Sequence, residues 1–293
     1  MPDGLLVDRS DMIEATERQT AQEILGERGA PVVMFDRVFL AFDDKVVLRD
    51  ISFTLLKGHT KIILGASGSG KSSILKILTG LLRADEGAVW VNGFRIDELT
   101  ERQLMPVRDD IGMIFQEGAL FDSLTVRENV GYKLYEETRM PLEEVDRRVE
   151  EVLGFIGLAE HIDKMPSELS GGQRRRVAIA RAISFRPKLL LYDEATTGLD
   201  PITASTVTDE IVKLRDLEGV SSILVTHNLR DAFYVATHMA VRGEGGAIRV
   251  VPAPPAKARE AEFIMLKDGL ICFEGDADAL RHSHDEYLRT FLS

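Results

Sequence analysis

Cysteine is almost missing from this sequence, and long apolar runs are missing altogether. Cys272 stands alone, which excludes a disulfide within the chain and suits a reducing cytosol. No apolar run approaches the roughly 20 residues that a membrane-spanning helix needs. The N-terminal stretch MPDGLLVDRS lacks the basic start and the long apolar stretch of a secretion signal. We therefore expect any function at a membrane to depend on partner chains.

A surplus of positive charge is missing as well. The 36 lysines and arginines are outnumbered by 48 aspartates and glutamates, which gives a formal net charge of −12. Nucleic-acid-binding domains usually carry a basic surplus or patch, so we predict no nucleic-acid partner. The densest basic run, residues 174–176, falls in the first turns of a predicted helix and is interpreted as a solvated helical face.

What is present is an alternation of strand-like and helical patterns. Short apolar runs at 61–64, 189–192 and 222–225 are typical of buried strands, and helical spacing follows each of them. This order predicts an α/β fold in which helices wrap a parallel sheet. From about 98 to 168 the pattern is mostly helical, with Pro141 where a first helical residue belongs.

Changes in composition divide the chain. We predict an N-terminal extension over 1–31, formed as a loosely ordered terminus or one short helix, and a main domain over 32–241. The segments GEGG and PAPP interrupt the pattern and predict a surface loop inserted over 242–262. Residues 263–293 resume with a strand, a turn and a final helix that complete the domain.

The most informative segment is a glycine-rich loop. Residues 65–72, GASGSGKS, follow a predicted strand and precede a predicted helix, which is the context of a phosphate-binding loop. Its glycines let backbone N–H groups face an anion, and the following helix adds its positive N-terminus. We expect Lys71 to reach the β- and γ-phosphates and Ser72 to ligate Mg²⁺. An ordinary Gly/Ser turn would leave Lys71 unexplained.

Two acids and a capping serine are further candidate residues of the site predicted at this loop. A predicted buried strand ends in Asp193 and Glu194, at the edge where open α/β sheets bind ligands. Asp193 is expected to hold Mg²⁺, directly or through water, and Glu194 to polarise the attacking water. Either acid alone would more simply cap the next helix. Ser170 is a good N-cap for the helix after SGGQ and makes a second phosphate-facing helix start.

Together these segments resemble the nucleotide-binding subunit of an ATP-binding-cassette (ABC) transporter over about residues 33–240, because six motifs occur in the family's order. The cofactors that the resemblance implies are ATP and Mg²⁺. The nucleotide-binding residues that it implies are Phe42, Gly65, Ala66, Ser67, Gly68, Ser69, Gly70, Lys71, Ser72, Ser73, Ser170, Gly171, Gly172 and Gln173. The implied catalytic residues are Glu194, His227 and Gln116. The implied metal ligands are Ser72, Gln116 and Asp193.

The resemblance also gives single residues a role. Gln116 matches the Q-loop, residues 198–200 the D-loop, and His227 the switch histidine that senses the γ-phosphate. Phe42 stands where the family has an aromatic residue that stacks on adenine. A lone histidine after a strand is more often structural, and a phenylalanine near a strand end more often belongs to the core.

Two positions depart from the family's pattern. Ala195 follows Glu194 where the family usually has proline, which would loosen the backbone after the strand without removing a catalytic group. The phosphate loop ends in KSS where KST is commoner, and the hydroxyl is retained.

The architecture and assembly that the resemblance implies are specific. The fold is a P-loop NTPase (RecA-like) core with an antiparallel β subdomain and an α-helical subdomain inserted at about 98–168. Two copies form a head-to-tail homodimer that sandwiches ATP between one chain's Walker A loop and the other chain's signature, LSGGQ. The dimer is expected to lie peripherally on the cytoplasmic side of the inner membrane, bound to permease subunits through Gln116 and the helical segment.

Flanking residues indicate a cargo. Three segments are similar to the corresponding parts of ATPases of Mla/Mce-type phospholipid transporters. They are EGALFDSLTVRENV after Gln116, MPSE before the signature and DPIT at 200–203. That similarity implies phospholipid cargo and a lipid-binding Mce-type partner. Residues 119–121 are then expected to line the groove for a permease coupling helix, with ordinary core packing as the alternative.

Other functions stay open. One is the ATPase of an importer for small polar solutes such as amino acids. Another is an ABC ATPase acting on ribosomes or DNA, although such proteins usually carry two cassettes or a coiled-coil insertion, neither of which this sequence shows. A P-loop kinase is disfavoured by LSGGQ and His227.

Overall fold

The computed structural model describes residues 31–116 and 118–292. The extension predicted over 1–31 therefore lies outside the described residues, apart from Pro31. The strands are β1 (Val33–Phe42), β2 (Lys45–Leu55), β3 (Thr60–Gly65), β4 (Glu86–Val91), β5 (Phe94–Arg95), β6 (Ile111–Ile114), β7 (Leu189–Asp193), β8 (Ser221–Val225), β9 (His238–Arg242), β10 (Ile248–Pro252), β11 (Ala261–Lys267) and β12 (Leu270–Gly275).

Helices connect and cover these strands. The α-helices are α1 (Lys71–Leu78), α2 (Glu101–Arg108), α3 (Val126–Glu137), α4 (Leu142–Phe155), α5 (Gly171–Ile183), α6 (Pro201–Glu218), α7 (Leu229–Thr237), α8 (Pro255–Ala258), α9 (Ala277–Arg281) and α10 (Glu286–Leu292). Within the described ranges, no helix combines the length and the apolar character that crossing a membrane requires.

A six-stranded sheet forms the centre of the molecule and confirms the predicted α/β fold. Its order is β12-β11-β3-β8-β7-β6, and every neighbouring pair except β11–β12 is parallel. Successive residues of a strand point to opposite faces, so Ile62 and Leu64 enter one core cluster and Ile63 enters the other. Burial on both faces is why β3, β7 and β8 read as continuous apolar runs.

The antiparallel subdomain is a four-stranded sheet of order β2-β1-β4-β5. It packs with α1 over one face of the central sheet, and both contribute to the same buried cluster. The helices α3 to α7 supply the cluster on the opposite face. The central sheet is therefore the middle layer between two hydrophobic cores.

The segment predicted as mostly helical, 98–168, includes a strand of the central sheet. β6 lies inside it and pairs in parallel with β7 at the sheet edge, with Ile111 opposite Leu189. With only four residues, β6 is too short for its period to stand out between helical patterns. The continuous helical part begins at α3, and Pro141 is the N-cap residue that precedes α4.

The segment predicted as a loop, 242–262, contains regular structure. β9 and β10 form an antiparallel hairpin, and the glycines that suggested a loop make its turn, where Gly245 and Gly246 have positive φ. Asp216 anchors the hairpin, because its Oδ2 accepts a hydrogen bond from Ala240 N at 2.8 Å. Lys257 Nζ lies 3.0 Å from the other oxygen of Asp216 and fixes the following α8 segment.

One buried amide organises the turn between β6 and α3. Asn129 is fully buried, and its Oδ1 accepts a hydrogen bond from Phe121 N at 2.8 Å. Its Nδ2 lies 2.9 to 3.0 Å from the carbonyl oxygens of Phe121, Leu124 and Thr125. This side chain is therefore the partner of Phe121 N and Leu124 O, and it adds a second hydrogen bond to the carbonyl oxygens of Phe121 and Thr125, which also accept from Leu124 N and Asn129 N.

We predict that Asn129→Ala destabilises this turn, because Phe121 N and Leu124 O lose the hydrogen-bond partner that the amide supplies. The free energy of unfolding should fall by about 2 kcal/mol, measured by urea denaturation. Hydrogen exchange of residues 118–125 should speed up more than exchange elsewhere. The exposed Glu136 on the same helix supplies the control, since Glu136→Ala should stay within about 0.5 kcal/mol of wild type. Equal stability of the two variants would contradict the role given to Asn129.

Candidate functional site

The carboxyl ends of β3, β7 and β8 meet at one edge of the central sheet, beside an open cleft of about 770 Å³. The parallel register explains the convergence, because Val225 at the end of β8 lies opposite both Ile63 and Asp193. The cleft brings together thirteen of the predicted residues, namely Phe42, Gly65, Ala66, Ser67, Gly68, Gly70, Lys71, Ser72, Ser73, Gln116, Asp193, Glu194 and His227. Ser69 is buried behind the loop.

The glycine-rich loop connects β3 to α1 through backbone conformations that need glycine. Gly70, the N-cap of α1, has φ +100 and ψ 0. A β-carbon there would lie 2.7 Å from Leu48 Cδ2 and 2.9 Å from Val47 O, so the loop packs against β2 without room for a side chain. The loop is thereby held with the N-terminus of α1 facing the cleft, the arrangement that binds phosphate.

Lys71 is buried at the start of α1. Its Nζ donates hydrogen bonds to the carbonyl oxygens of Gly65 at 2.8 Å and Ala66 at 3.0 Å. Burial lowers the pKa of Lys71, while the carboxylates of Glu194 and Asp193 act in the opposite direction. The ammonium group is therefore fixed at the phosphate-binding loop with two acids nearby.

Ser72 and Asp193 meet across the cleft although 121 positions separate them. Ser72 Oγ donates to Asp193 Oδ1 at 3.2 Å. Burial raises the pKa of Asp193, and the hydrogen bond from Ser72 opposes that shift. One hydroxyl and one carboxylate beside a phosphate site fit Mg²⁺, which is usually held by one or two carboxylates together with substrate phosphates. Among the described residues, no cluster of three or more His, Cys, Asp or Glu forms a metal site.

Glu194 and His227 form a second pair in the same cleft. His227 Nδ1 lies 2.8 Å from Glu194 Oε2, and the Thr197 hydroxyl donates to the same oxygen at 2.8 Å. Glu194 has φ +53, which is uncommon for a residue with a side chain and often marks a functional site. Ala195, which stands in the place of the family's proline, is buried and leaves this pairing intact.

The signature lies apart from this cleft within one chain. None of residues 170–173 lines the cleft of Lys71, whereas Gly171 lines a neighbouring cleft of about 590 Å³. Gln116 and Thr197 line both clefts and form the boundary between them. One chain therefore does not bring its signature to its own phosphate loop.

Hydrogen bonds hold the signature turn in place. Ser170 Oγ accepts from Gln173 N at 3.2 Å, and Gln173 Oε1 accepts from Ser170 N at 2.8 Å. This reciprocal cap orients the Gln173 amide so that Nε2 donates to His161 Nε2 at 2.7 Å. Gly172 packs so closely that a β-carbon would lie 2.0 Å from Thr203 Cγ2.

The prediction that residues 174–176 form a solvated helical face is wrong for Arg175, whereas Arg174 is exposed and Arg176 is partly buried. Arg175 is 8% exposed and donates to Phe115 O at 2.9 Å and Thr197 O at 3.1 Å. Arg174 and Arg176 also donate to backbone carbonyl oxygens. Arg175 therefore joins the signature helix to the segments before Gln116 and after Glu194. A helical pattern in the sequence does not reveal these contacts.

Three further residues of the site, Thr197, His161 and Phe291, were not predicted from the sequence. His161 and Phe291 are separated along the chain from the segments that they contact or line. Only the position of Thr197, three residues after Glu194, offered a local indication. The other two required the tertiary structure.

The fold and this cleft define a nucleotide-binding ATPase of the P-loop class. Residues 48–197 match the family model described as ABC transporter, and the chain belongs to that family. Its domain binds ATP and hydrolyses it, as those of the family do.

Two relatives illustrate the range of similar proteins. The methionine import ATP-binding protein MetN of Bifidobacterium longum is 38% identical, over 89% of this chain and 68% of that protein. The chloroplastic protein TRIGALACTOSYLDIACYLGLYCEROL 3 of Arabidopsis thaliana is 43% identical, over 65% of this chain and 59% of that protein. The match to the plant protein thus spans less than two thirds of its length.

Among solved structures, the chain is similar to a dimeric ATP-binding cassette in a post-hydrolysis state bound to ADP and Pi. The TM-score is 0.67 at 30% identity, covering 83% of this chain and 98% of that one.

We predict that His161→Leu slows ATP hydrolysis by about 3- to 10-fold, because the Gln173 amide loses its acceptor and the signature turn loosens. The affinity for ATP of the Lys71 cleft should stay unchanged, since His161 does not line it. His161→Gln retains an acceptor oxygen and should recover most of the rate. Steady-state hydrolysis and nucleotide titration measure the two effects, and a wild-type rate in His161→Leu would contradict the prediction.

Proposed function

We propose that this chain is the ATP-hydrolysing subunit of an ABC transporter, acting as a homodimer on permease subunits at the cytoplasmic side of the inner membrane. The observation that carries the proposal is the separation of the signature from the Lys71 cleft within one chain. A second copy placed head to tail brings its signature to that cleft. The similarity to a dimeric cassette supports this arrangement.

Phosphoryl transfer depends mainly on positioning and charge stabilisation, and each residue of the cleft has a separate role in it. The loop amides and Lys71 hold the phosphates. Glu194 orients and deprotonates the attacking water as general base. His227, bonded to Glu194, faces the γ-phosphate, and Ser170 of the second copy closes the site. Loss of the γ-phosphate removes these contacts and releases the pair.

Ser72, Asp193 and Gln116 are the residues that would hold Mg²⁺. Ser72 and Asp193 are already paired by a hydrogen bond, and Gln116 lines the same cleft. When bound, the ion neutralises charge that develops on the phosphate oxygens. Its ligands come from α1, β7 and the segment after β6, so binding of the ion would connect three parts of the fold.

Gln116 also suits a role in coupling. It lines both clefts, and Ala119 and Leu120 line the second one beside it. Ala119 is exposed and Phe121 is 43% exposed, with its ring 4.6 Å from the ring of Tyr132. The exposed apolar groups of Ala119 and Phe121 favour a groove for a permease helix, whereas Leu120 is partly buried and packs against the core.

We expect Glu194→Gln to keep ATP affinity and to slow hydrolysis by about 100-fold or more, because the amide cannot accept the proton of water. ATP should then hold the variant as a dimer, which size-exclusion chromatography with light scattering measures. Lys71→Ala is the matched variant that should lose ATP affinity instead. Near-normal turnover in Glu194→Gln would overturn the role of Glu194, and unchanged affinity in Lys71→Ala would overturn the assignment of the cleft.

The cargo that the comparisons favour is an amino acid such as methionine. The methionine importer subunit matches over 89% of this chain, so the similarity extends well beyond the shared motifs. This places the small-solute importer ahead of the phospholipid transporter that the flanking residues indicate. No feature of the described residues favours a role on ribosomes or DNA.

A phospholipid is the second candidate cargo, and one specific observation favours it. The 43% identical chloroplastic relative bears the name of a galactosylated diacylglycerol. The segment after Gln116 that resembles Mla/Mce-type ATPases is also the exposed apolar segment beside the second cleft. In this case an Mce-type lipid-binding protein would be a further partner.

A transport assay distinguishes the two proposed cargoes. The tagged chain is purified with its membrane partners and reconstituted in proteoliposomes. The amino-acid proposal expects ATP-dependent uptake of labelled methionine, and the lipid proposal expects ATP-dependent transfer of labelled phospholipid. Complexes carrying Glu194→Gln supply the control without turnover. Recovery of the chain with ribosomes and no permease would overturn the transporter proposal itself.

A further inference from the structure

The C-terminal helix α10 reaches the Lys71 cleft, although it follows the glycine loop by more than 200 positions. The route is set by the sheet, because β11 pairs in parallel with β3 and places Leu266 opposite Gly65. β12 returns antiparallel at the sheet edge, and α9 and α10 follow it. Phe291, near the end of α10, lines the cleft together with the phosphate loop.

α10 is anchored on the domain by several contacts, and Phe291 itself is partly buried against the core cluster. Leu288 is 1% exposed and belongs to the large core cluster. Asp285 Oδ1 accepts a hydrogen bond from Leu288 N at 3.0 Å and caps the helix. Lys267 Nζ lies 4.4 Å from the centroid of the Tyr287 ring, which ties the helix to the end of β11. These contacts hold Phe291 at the cleft.

The lining of the cleft is partly polar and partly apolar. Lys71, Ser72, Asp193 and Glu194 supply polar groups, beside which the proposed function expects the phosphates. The apolar lining comes from Phe42, Val47 and Phe291, which are contributed by β1, β2 and α10. Phe42 is 46% exposed and ends its strand, so its ring is open to a ligand. A purine has two flat apolar faces, and aromatic rings stabilise such faces by stacking or edge contacts.

We propose that Phe291 is a second base-contacting residue, which encloses the base of the bound nucleotide together with Phe42. This inference rests on the proposed function of the cleft as the ATP site. It makes the C-terminal helix part of the binding site, in addition to its packing on the core. The phosphates are held by the loop, and the base is held between the ends of β1 and α10.

The test compares ATP with inorganic tripolyphosphate, which has the phosphates and no base. Isothermal titration of the full chain should show that Phe291→Ala weakens ATP binding by about 3- to 10-fold and leaves tripolyphosphate binding unchanged. Phe42→Ala should show the same selectivity. Phe291→Trp keeps an aromatic face and should bind ATP within about 2-fold of wild type.

Glu286→Ala is the matched control, because Glu286 lies in the first turn of α10, is exposed and does not line the cleft. It should leave both affinities unchanged. Phe291→Leu preserves apolar packing without a ring, so a selective loss of ATP affinity in that variant supports a ring contact rather than a folding defect. In the double variant Phe42→Ala with Phe291→Ala, the losses should be less than multiplicative, because both rings contact one base.

The outcomes distinguish this inference from the function on which it rests. Wild-type ATP affinity in Phe291→Ala, or equal losses for ATP and tripolyphosphate, would overturn the role of Phe291 and leave the ATP site standing. Equal effects of Glu286→Ala and Phe291→Ala would assign α10 a purely structural role and would also overturn the role of Phe291. If the wild-type chain binds neither probe, the proposed function and this inference fail together.

Discussion

The parallel pairing of β3, β8 and β7 is the constraint on which the rest of the structure depends. It brings the end of the phosphate-loop strand, the acids after β7 and the histidine after β8 to one edge of the sheet. Ser72 and Asp193 lie 121 positions apart along the chain, yet a hydrogen bond of 3.2 Å joins them. Helices can bury both faces of such a sheet only if the connections are long, and those connections carry the signature and the Q-loop.

The strand order also places the phosphate loop and the signature in two separate clefts of one chain. The Lys71 cleft has the groups that hold and activate a nucleotide, whereas the signature helix faces a neighbouring cleft. Gln116, Thr197 and Arg175 occupy the boundary and connect the two. Arg175 donates hydrogen bonds to the backbone on both sides of this boundary. A shift of the signature helix would therefore displace the segments that carry Gln116 and Glu194. Under the proposed function, these bonds would connect the nucleotide state with the exposed apolar residues Ala119 and Phe121.

Much of the central fold follows from patterns in the sequence, since strands buried on both faces and a glycine loop between strand and helix leave strong local signals. The exceptions share a cause. The strand β6 is too short to show a period, and the β9–β10 hairpin has glycines in its turn and only partly buried strands. Arg175 looks like a surface charge because its partners are carbonyl groups of distant segments. In each case packing against residues far along the chain overrides the local pattern.

By itself the sequence determined the chemistry of this protein. A phosphate loop, a signature turn and a pair of strand-end acids are contiguous segments, and their backbone geometry follows from neighbouring residues. Only the tertiary structure decided which side chains complete them: His161 beside Gln173, Thr197 and His227 on one oxygen of Glu194, and Phe291 at the edge of the cleft. The reason is that such contacts depend on sheet order and on how the last helix packs, and neither is specified by the residues adjacent in the chain.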